Sequence, residues 1–231
     1  LAKITMQAEK PLSLRQFFGT GLGKPIVLAV LLAFFNQMSG INAIIYYAPR
    51  ILELTGAEAS AALLATVGIG AVNLVFTAVG MAIIDHAGRR ALMLIGSVGY
   101  IASLGGVAYG FANLHYALVP IFIFAFIAAH AIGQGAVIWV YIAEIFPNAA
   151  RATGQSLGSG THWVMAALLT LVMPSILSSV APAVIFSFFA VMMVLQLLFV
   201  LTMMVETRGK SLEDLAVELA PHHHVLKEAT R

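Results

Sequence analysis

The sequence predicts an all-α, polytopic membrane protein, a bundle of six transmembrane helices, and three observations predict it. Hydrophobic residues make up 61% of the 231 and charged ones only 10%, against roughly a quarter charged in an ordinary soluble domain. A spanning helix needs about 20 predominantly apolar residues, and six such runs fall at residues 25–49, 59–84, 91–112, 116–142, 154–178 and 183–205. The cations alternate between the ends of these runs. Lys3, Lys10, Arg15, Lys24, Arg89, Arg90, Arg151, Arg208, Lys210, Lys227 and Arg231 share one side, and only Arg50 falls on the other. By the positive-inside rule both termini are expected in the cytoplasm, in a multi-pass protein of the cell (plasma or inner) membrane. That distribution accounts for the net charge of +2 without a nucleic-acid partner.

Residues 1–24 form a cytoplasmic segment, in which Pro11, Leu12, Leu14, Phe17 and Phe18 suggest the end of an interfacial helix. The chain begins at Leu1 with no charged leader, which suggests a piece of a longer protein. The membrane domain is expected at 25–205, opened by Pro25, because a proline in the first helical turn loses no hydrogen bond. Glycines four apart, Gly106 with Gly110 and Gly154 with Gly158, predict close helix packing. Residues 206–231 form a cytoplasmic tail. There Ser211 and Asp214 resemble a capping box, and Leu212, Leu215 and Leu219 keep helical spacing.

The first span carries NQMSGINAIIYY at residues 36–47. Amides and phenols are costly in hydrocarbon unless they face protein or a water-filled cavity. On a straight helix Asn36, Ser39, Asn42, Tyr46 and Tyr47 share an arc of roughly 140°, and Gln37 falls outside it. For Gln37 and Asn42 to face one cavity the helix must distort between them. Ser39 with Gly40 is a suitable break, so a kinked or unwound helix is expected there, its polar side toward a central cavity.

Trp139 and Trp163 are either interface anchors or flat apolar faces with one N–H donor, suited to a sugar ring. The intramembrane His130 and His162 either relay protons or bond a neighbouring helix. No acid occupies the middle of a span. DHAGRR at 85–90, EIFPNAAR at 144–151 and ETRGK at 206–210 set acids beside bases at helix ends. Such a network can be made in one conformation and broken in another.

Taken together, NQMSGINAIIYY, DHAGRR, WVYIAEIFPNAARATG and VETRGKSLEDL closely resemble the carboxy-terminal half of the sugar porter family. This family of the major facilitator superfamily includes bacterial sugar/proton symporters and facilitative glucose transporters. The resemblance runs from about Pro11 to Leu219 and covers half of the family's twelve-span molecule, built from two parallel six-helix halves.

The resemblance implies a monosaccharide such as a hexose or pentose, bound midway through the membrane and moved by alternating access, in proton symport or by facilitation. Asn36, Gln37 and Asn42 correspond to the family's sugar-binding amides, Tyr46 to a cavity aromatic, Asn73 to a further amide and Trp139 to the aromatic beside the sugar. His162 falls where relatives carry a polar cavity residue, followed by Trp163 as in the family. Asp85, Arg89, Arg90, Glu144, Arg151 and Glu206 match the cytoplasmic gate. Relatives usually carry two adjacent glutamines where this chain has Asn36 and Gln37, and prolines where it has Ala136, Ile138 and Val205. Ala166 replaces an amide.

The implied partners are the sugar, the lipid bilayer and an amino-terminal six-helix half or a second half-transporter. A membrane sugar sensor or scaffold that keeps the fold without transporting is the alternative. An enzyme is not expected, since no nucleophile with its base, metal cluster or phosphate loop is found. Without cysteine there are no disulfides or thiolate metal sites. No cofactor or metal is expected, and the histidines at 222–224 read as a solvated tail.

Overall fold

A computed structural model describes residues 12–19 and 21–219. Pro11, at the start of the expected interfacial segment, the terminal cations and the histidines at 222–224 lie outside them. Among the described residues the chain is helical and has no strand. In order come α1 (Leu14–Gly19), α2 (Gly23–Met38), α3 (Ile41–Glu53), α4 (Ala59–Ala87), α5 (Arg89–Ala112) and α6 (Leu118–His130). A π-helical turn (Ala131–Gly135), α7 (Ala136–Glu144), α8 (Asn148–Ser179), α9 (Pro182–Thr202) and α10 (Leu212–Leu219) follow. Six spans are long and apolar enough to cross a membrane: α2 with α3, α4, α5, α6 through α7, α8, and α9. They match the six expected runs, with ends moved by a few residues.

Lipid offers no hydrophobic drive for helices to associate, so the bundle depends on close approach and on hydrogen bonds. Helix α5 packs against α9 and α6, and α2 against α8. A Cβ on Gly106 would lie 2.5 Å from the Phe122 ring, and one on Gly154 2.3 Å from that of Phe146. Gly106 thus lets α5 approach α6, and Gly154 seats a ring from the bend between α7 and α8; at the next glycine a Cβ on Gly158 would lie 2.7 Å from Ile142 of α7, the close packing that the spacing predicts.

The apolar interior is divided. One cluster holds Leu28, Leu32, Tyr141, Phe146 and Val200, toward the end where residues 85–90, 144–151 and 206–210 gather, called here the charged end. The other holds Ile44, Ile51, Tyr100, Phe126 and Phe186. The break between α2 and α3 separates the two.

That break has a local cause. Ser39 Oγ donates to the Asn36 carbonyl at 2.6 Å and accepts the Ile41 N–H at 3.3 Å, so it competes with the helical backbone ladder. Gly40 then adopts φ +81°, a conformation that costs a residue with a Cβ about 1–2 kcal/mol. A Cβ there would also lie 2.7 Å from the buried Phe189 ring. Gly40→Ala is therefore expected to lower stability by about 2–4 kcal/mol, adding backbone strain to overpacking. A thermal melt in detergent checks this, and a melting temperature equal to wild type would contradict it.

The fourth span is also interrupted. Its π turn, a form common as a single bulge inside α-helices, sets Gly133 against Gly96, where an added Cβ would lie 2.9 Å from the Gly96 Cα. Beside this crossing Gln134 donates to Gln196, and Gln196 Nε2 donates to Ser97 Oγ at 2.8 Å. Ser97 Oγ donates in turn to the Met93 carbonyl at 2.7 Å. The fully buried pair of amides thus links α5, α9 and the π turn.

At the termini of the bundle both short amphipathic helices are present. Ser13 and Gln16 cap α1 reciprocally. Phe17 is buried against Phe146, whereas Leu14 and Phe18 face outward. The expected capping box at Ser211 and Asp214 forms: Ser211 Oγ donates to Asp214 Oδ2 at 2.7 Å, and the Asp214 N–H donates to Ser211 Oγ at 3.1 Å. Leu215 and Leu219 are buried, with Leu212 half-buried.

Candidate functional site

The break in the first span brings three amides and an imidazole together. Gln37 Nε2 donates to Asn36 Oδ1 at 2.9 Å, and Gln37 Oε1 accepts from Asn42 Nδ2 at 3.0 Å. The same Nε2 lies 3.2 Å from His162 Nδ1 and 3.3 Å from its Nε2. Gln37 and Asn36 are 0% and 2% exposed, so the cluster supplies hydrogen-bond partners that water does not. It is a self-satisfied polar patch between two apolar clusters.

Two indoles border it. The Trp139 and Trp163 rings lie 5.1 and 5.0 Å from the His162 ring, both edge-on. The tryptophans and Tyr46 stay exposed at 37%, 59% and 55%. Apolar faces beside convergent amide donors and acceptors make a surface that can hold a polyhydroxyl ring. The faces cover C–H groups while the amides meet hydroxyls.

Several expected members stand apart. The side chains of Tyr46 and Asn73 form no hydrogen bond among the described residues, although Asn73 is half-buried on α4. Of the arc drawn on a straight helix, Ser39 turns to the backbone and Tyr47 donates to the Thr170 carbonyl at 3.0 Å, tying α3 to α8. Gln37, placed off that arc, is the residue that joins the others. His130 does not join the amides: its Nδ1 lies 2.5 Å from Tyr100 Oη.

At the charged end Arg89, 8% exposed, is the central cation. Its Nη2 and Nε donate to Glu144 Oε1 and Oε2 at 2.7 and 3.1 Å, a two-pronged pairing that adds geometric specificity to charge. Its Nη1 pairs with Asp85 at 2.9 Å and donates to the Ile84 carbonyl at 3.2 Å. Thr207 Oγ1 donates to Glu144 Oε2 at 2.6 Å, a contact the sequence reading missed because threonine beside charged residues gives no separate signal. A cavity of about 340 Å³ opens beside these groups, lined also by Arg208 and Lys210.

The remaining charged residues differ from the simple network expected. Glu206 accepts the Arg89 and Arg90 N–H groups at 2.9 and 3.0 Å, and so serves the unpaired donors and positive end of the α5 N-terminus. Gly88, at φ +93°, leaves room for it, since a Cβ would lie 2.6 Å from Glu206 Oε2. Among the described residues the Arg90 guanidinium pairs with no acid; its Nη2 donates to the Leu201 carbonyl at 2.9 Å and its Nε to that of Val200 at 3.3 Å. Arg151 likewise finds no acid among the described residues: its Nε and Nη2 are buried without a hydrogen-bond partner.

Comparison with known proteins identifies the family. A family model described as "Sugar (and other) transporter" matches residues 2–219. The arabinose-proton symporter of Bacillus subtilis (strain 168) is 35% identical over 217 residues, 91% of this chain and 46% of that protein. Solute carrier family 2, facilitated glucose transporter member 2, of Mus musculus is also 35% identical over 217 residues, 91% of this chain and 41% of its own length. The chain thus spans about half the length of the curated relatives it matches. Among solved structures, the major facilitator superfamily proton:xylose symporter XylE bound to 6-bromo-6-deoxy-D-glucose aligns with a TM-score of 0.79 and 30% identity. That alignment covers 89% of this chain and 44% of that one.

Proposed function

The chain belongs to the sugar (and other) transporter family of the major facilitator superfamily, and on that premise we propose that it is the carboxy-terminal half of a monosaccharide transporter working by alternating access. The observation that carries this reading is the hydrogen-bonded cluster of Asn36, Gln37, Asn42 and His162 beside two exposed indoles. A hexose or pentose is its substrate. Hydroxyls exchange with the amides' mutual bonds while Trp139 and Trp163 cover the ring's apolar faces. Tyr46 and Asn73 complete the cavity wall from α3 and α4. No catalytic step is assigned to any residue.

Six helices make one wall of such a cavity, and an amino-terminal six-helix half, or a second half-transporter, supplies the other. Arg151 supports this arrangement, because its Nε and Nη2 are buried without a partner among the described residues, which is costly, and an acid on the other half would meet them. Asp85, Arg89, Arg90, Glu144, Arg151 and Glu206 form this half's side of a cytoplasmic gate. The cations at that end support cytoplasmic termini in a plasma or inner membrane. Residues 25–205 are the membrane domain, flanked by cytoplasmic segments 1–24 and 206–231. Transport runs as proton symport or facilitated diffusion.

The test is uptake of labelled D-xylose, L-arabinose and D-glucose into proteoliposomes holding the intact protein, with and without an imposed proton gradient. Saturable uptake of at least one sugar is expected. A protein that binds sugar and never moves it is a sensor, and that result overturns the proposal.

A further inference from the structure

The amide cluster has a directional order. Gln37 turns its amide nitrogen toward Asn36 Oδ1 and the His162 ring, and its oxygen toward Asn42 Nδ2. That nitrogen is almost equidistant from the two ring nitrogens, which sets it over the face of the imidazole rather than in line with either nitrogen, so its N–H meets the ring whichever tautomer is present. A neutral ring receives it through its π electrons. An imidazolium does not, because the ring is positive.

We propose that His162 is a proton-operated polarity switch for the amide site, in which one proton on its imidazole reverses all three amides together. With the proton on, Gln37 turns over and presents Oε1, the negative end of its amide dipole, to the positive ring. Its nitrogen then faces Asn42, which must offer Oδ1, and its oxygen faces Asn36, which must offer Nδ2. Any mixed arrangement sets donor against donor or acceptor against acceptor within a buried cluster, which costs more than either ordered state. The cluster thus has two self-consistent patterns. The ends of Asn36 and Asn42 not used within it exchange donor for acceptor between them.

The surroundings leave His162 in control. From α2 it faces Gln37, from α7 Trp139, and from its own helix Trp163; from α3, Asn42 reaches it through Gln37. No carboxylate, lysine or arginine pairs with it among the described residues. Among the described residues the other intramembrane imidazole, His130 of α6, is held by Tyr100 Oη.

As a statement about sugar, the proposal rests on the reading of this cluster as the sugar site, and two measurements keep the two apart. Both tryptophans of this half flank His162, so the part of the intact protein's emission change that His162→Gln removes reports its charge without any sugar. Titrated from pH 8.5 to 4.5, the intact protein should show a one-proton fluorescence change that is absent in His162→Gln and kept in His130→Gln. A titration unchanged in His162→Gln overturns the proposal. Equilibrium binding of D-xylose and D-glucose is the second measurement. In the neutral state sugar hydroxyls displace ordinary hydrogen bonds, whereas the imidazolium holds Gln37 Oε1 more strongly. Affinity should therefore fall about fivefold to tenfold from pH 8 to pH 4.5, on the scale of one polar contact to a charged group, by more than any fall left in His162→Gln. Equal pH dependence in the two proteins overturns the proposal. A proton-linked emission change in a protein that binds neither sugar overturns the sugar-site reading and supports the switch itself.

Discussion

Gln37→Ala is expected to weaken sugar binding by the intact protein roughly 30- to 150-fold, about 2–3 kcal/mol. The expectation follows from connectivity rather than from one contact. Gln37 is fully buried and bonds Asn36, Asn42 and His162 at once. Removing it leaves an acceptor on Asn36 and a donor on Asn42 without their partner, in a cluster sheltered from bulk water. Each orphaned buried group costs about 1–3 kcal/mol, and the truncated side chain no longer offers an amide to a hydroxyl. Isothermal titration with D-xylose and D-glucose measures the loss. An affinity within about threefold of wild type would show that Gln37 organises the helix break without reading sugar.

The second large effect is expected at Arg89. Arg89→Ala leaves Glu144 with only Thr207 as a side-chain partner and frees Asp85. Breaking a buried pair from one side costs about 3–5 kcal/mol, and the low end applies because 24% of the Glu144 side chain stays exposed. Arg89→Lys keeps the charge but loses the fork that reaches both Glu144 oxygens, so it should recover only part of the loss. A cysteine engineered at Ser156, exposed on α8 near the charged end, gives a label site in a half that has no cysteine of its own, its modification read by peptide mapping. In Arg89→Ala its labelling rate and the transport rate should both depart at least about tenfold from wild type, with Arg89→Lys between. Unchanged labelling and transport would remove Arg89 from the gate.

Much of this was legible in the sequence, for physical reasons that differ by residue. Hydropathy gave all six spans, because the length of a helix in hydrocarbon is fixed by bilayer thickness. The break at Ser39 and Gly40 was legible because a competing hydroxyl and a residue without Cβ sit where the polar pattern needed a bend. That Gln37 is the hub was not. A straight-helix projection sets it off the polar arc, and only the rotation introduced by Gly40 brings Asn42 back to it. Residue type placed Arg89 and Glu144 in one charged network without pairing them. It could not show that Glu206 serves backbone N–H groups, that Arg90 meets carbonyls of α9, or that Arg151 meets no acid among the described residues, because those depend on which helix ends converge. The π turn left no trace in hydropathy. The pairing of Gln134 with Gln196, 62 residues apart, was likewise invisible in a linear pattern.

The central claim is that this amide cluster belongs to a site exposed alternately to the two sides of a membrane. Sugar counterflow tests it most directly, because it needs neither a gradient nor knowledge of the coupling ion. Proteoliposomes containing the intact protein are loaded with excess unlabelled D-xylose or D-glucose and diluted into a trace of the labelled sugar. The account predicts a transient internal accumulation of label that saturates with sugar and is lost in Gln37→Ala. No accumulation with either sugar, in liposomes whose protein binds that sugar, would contradict it.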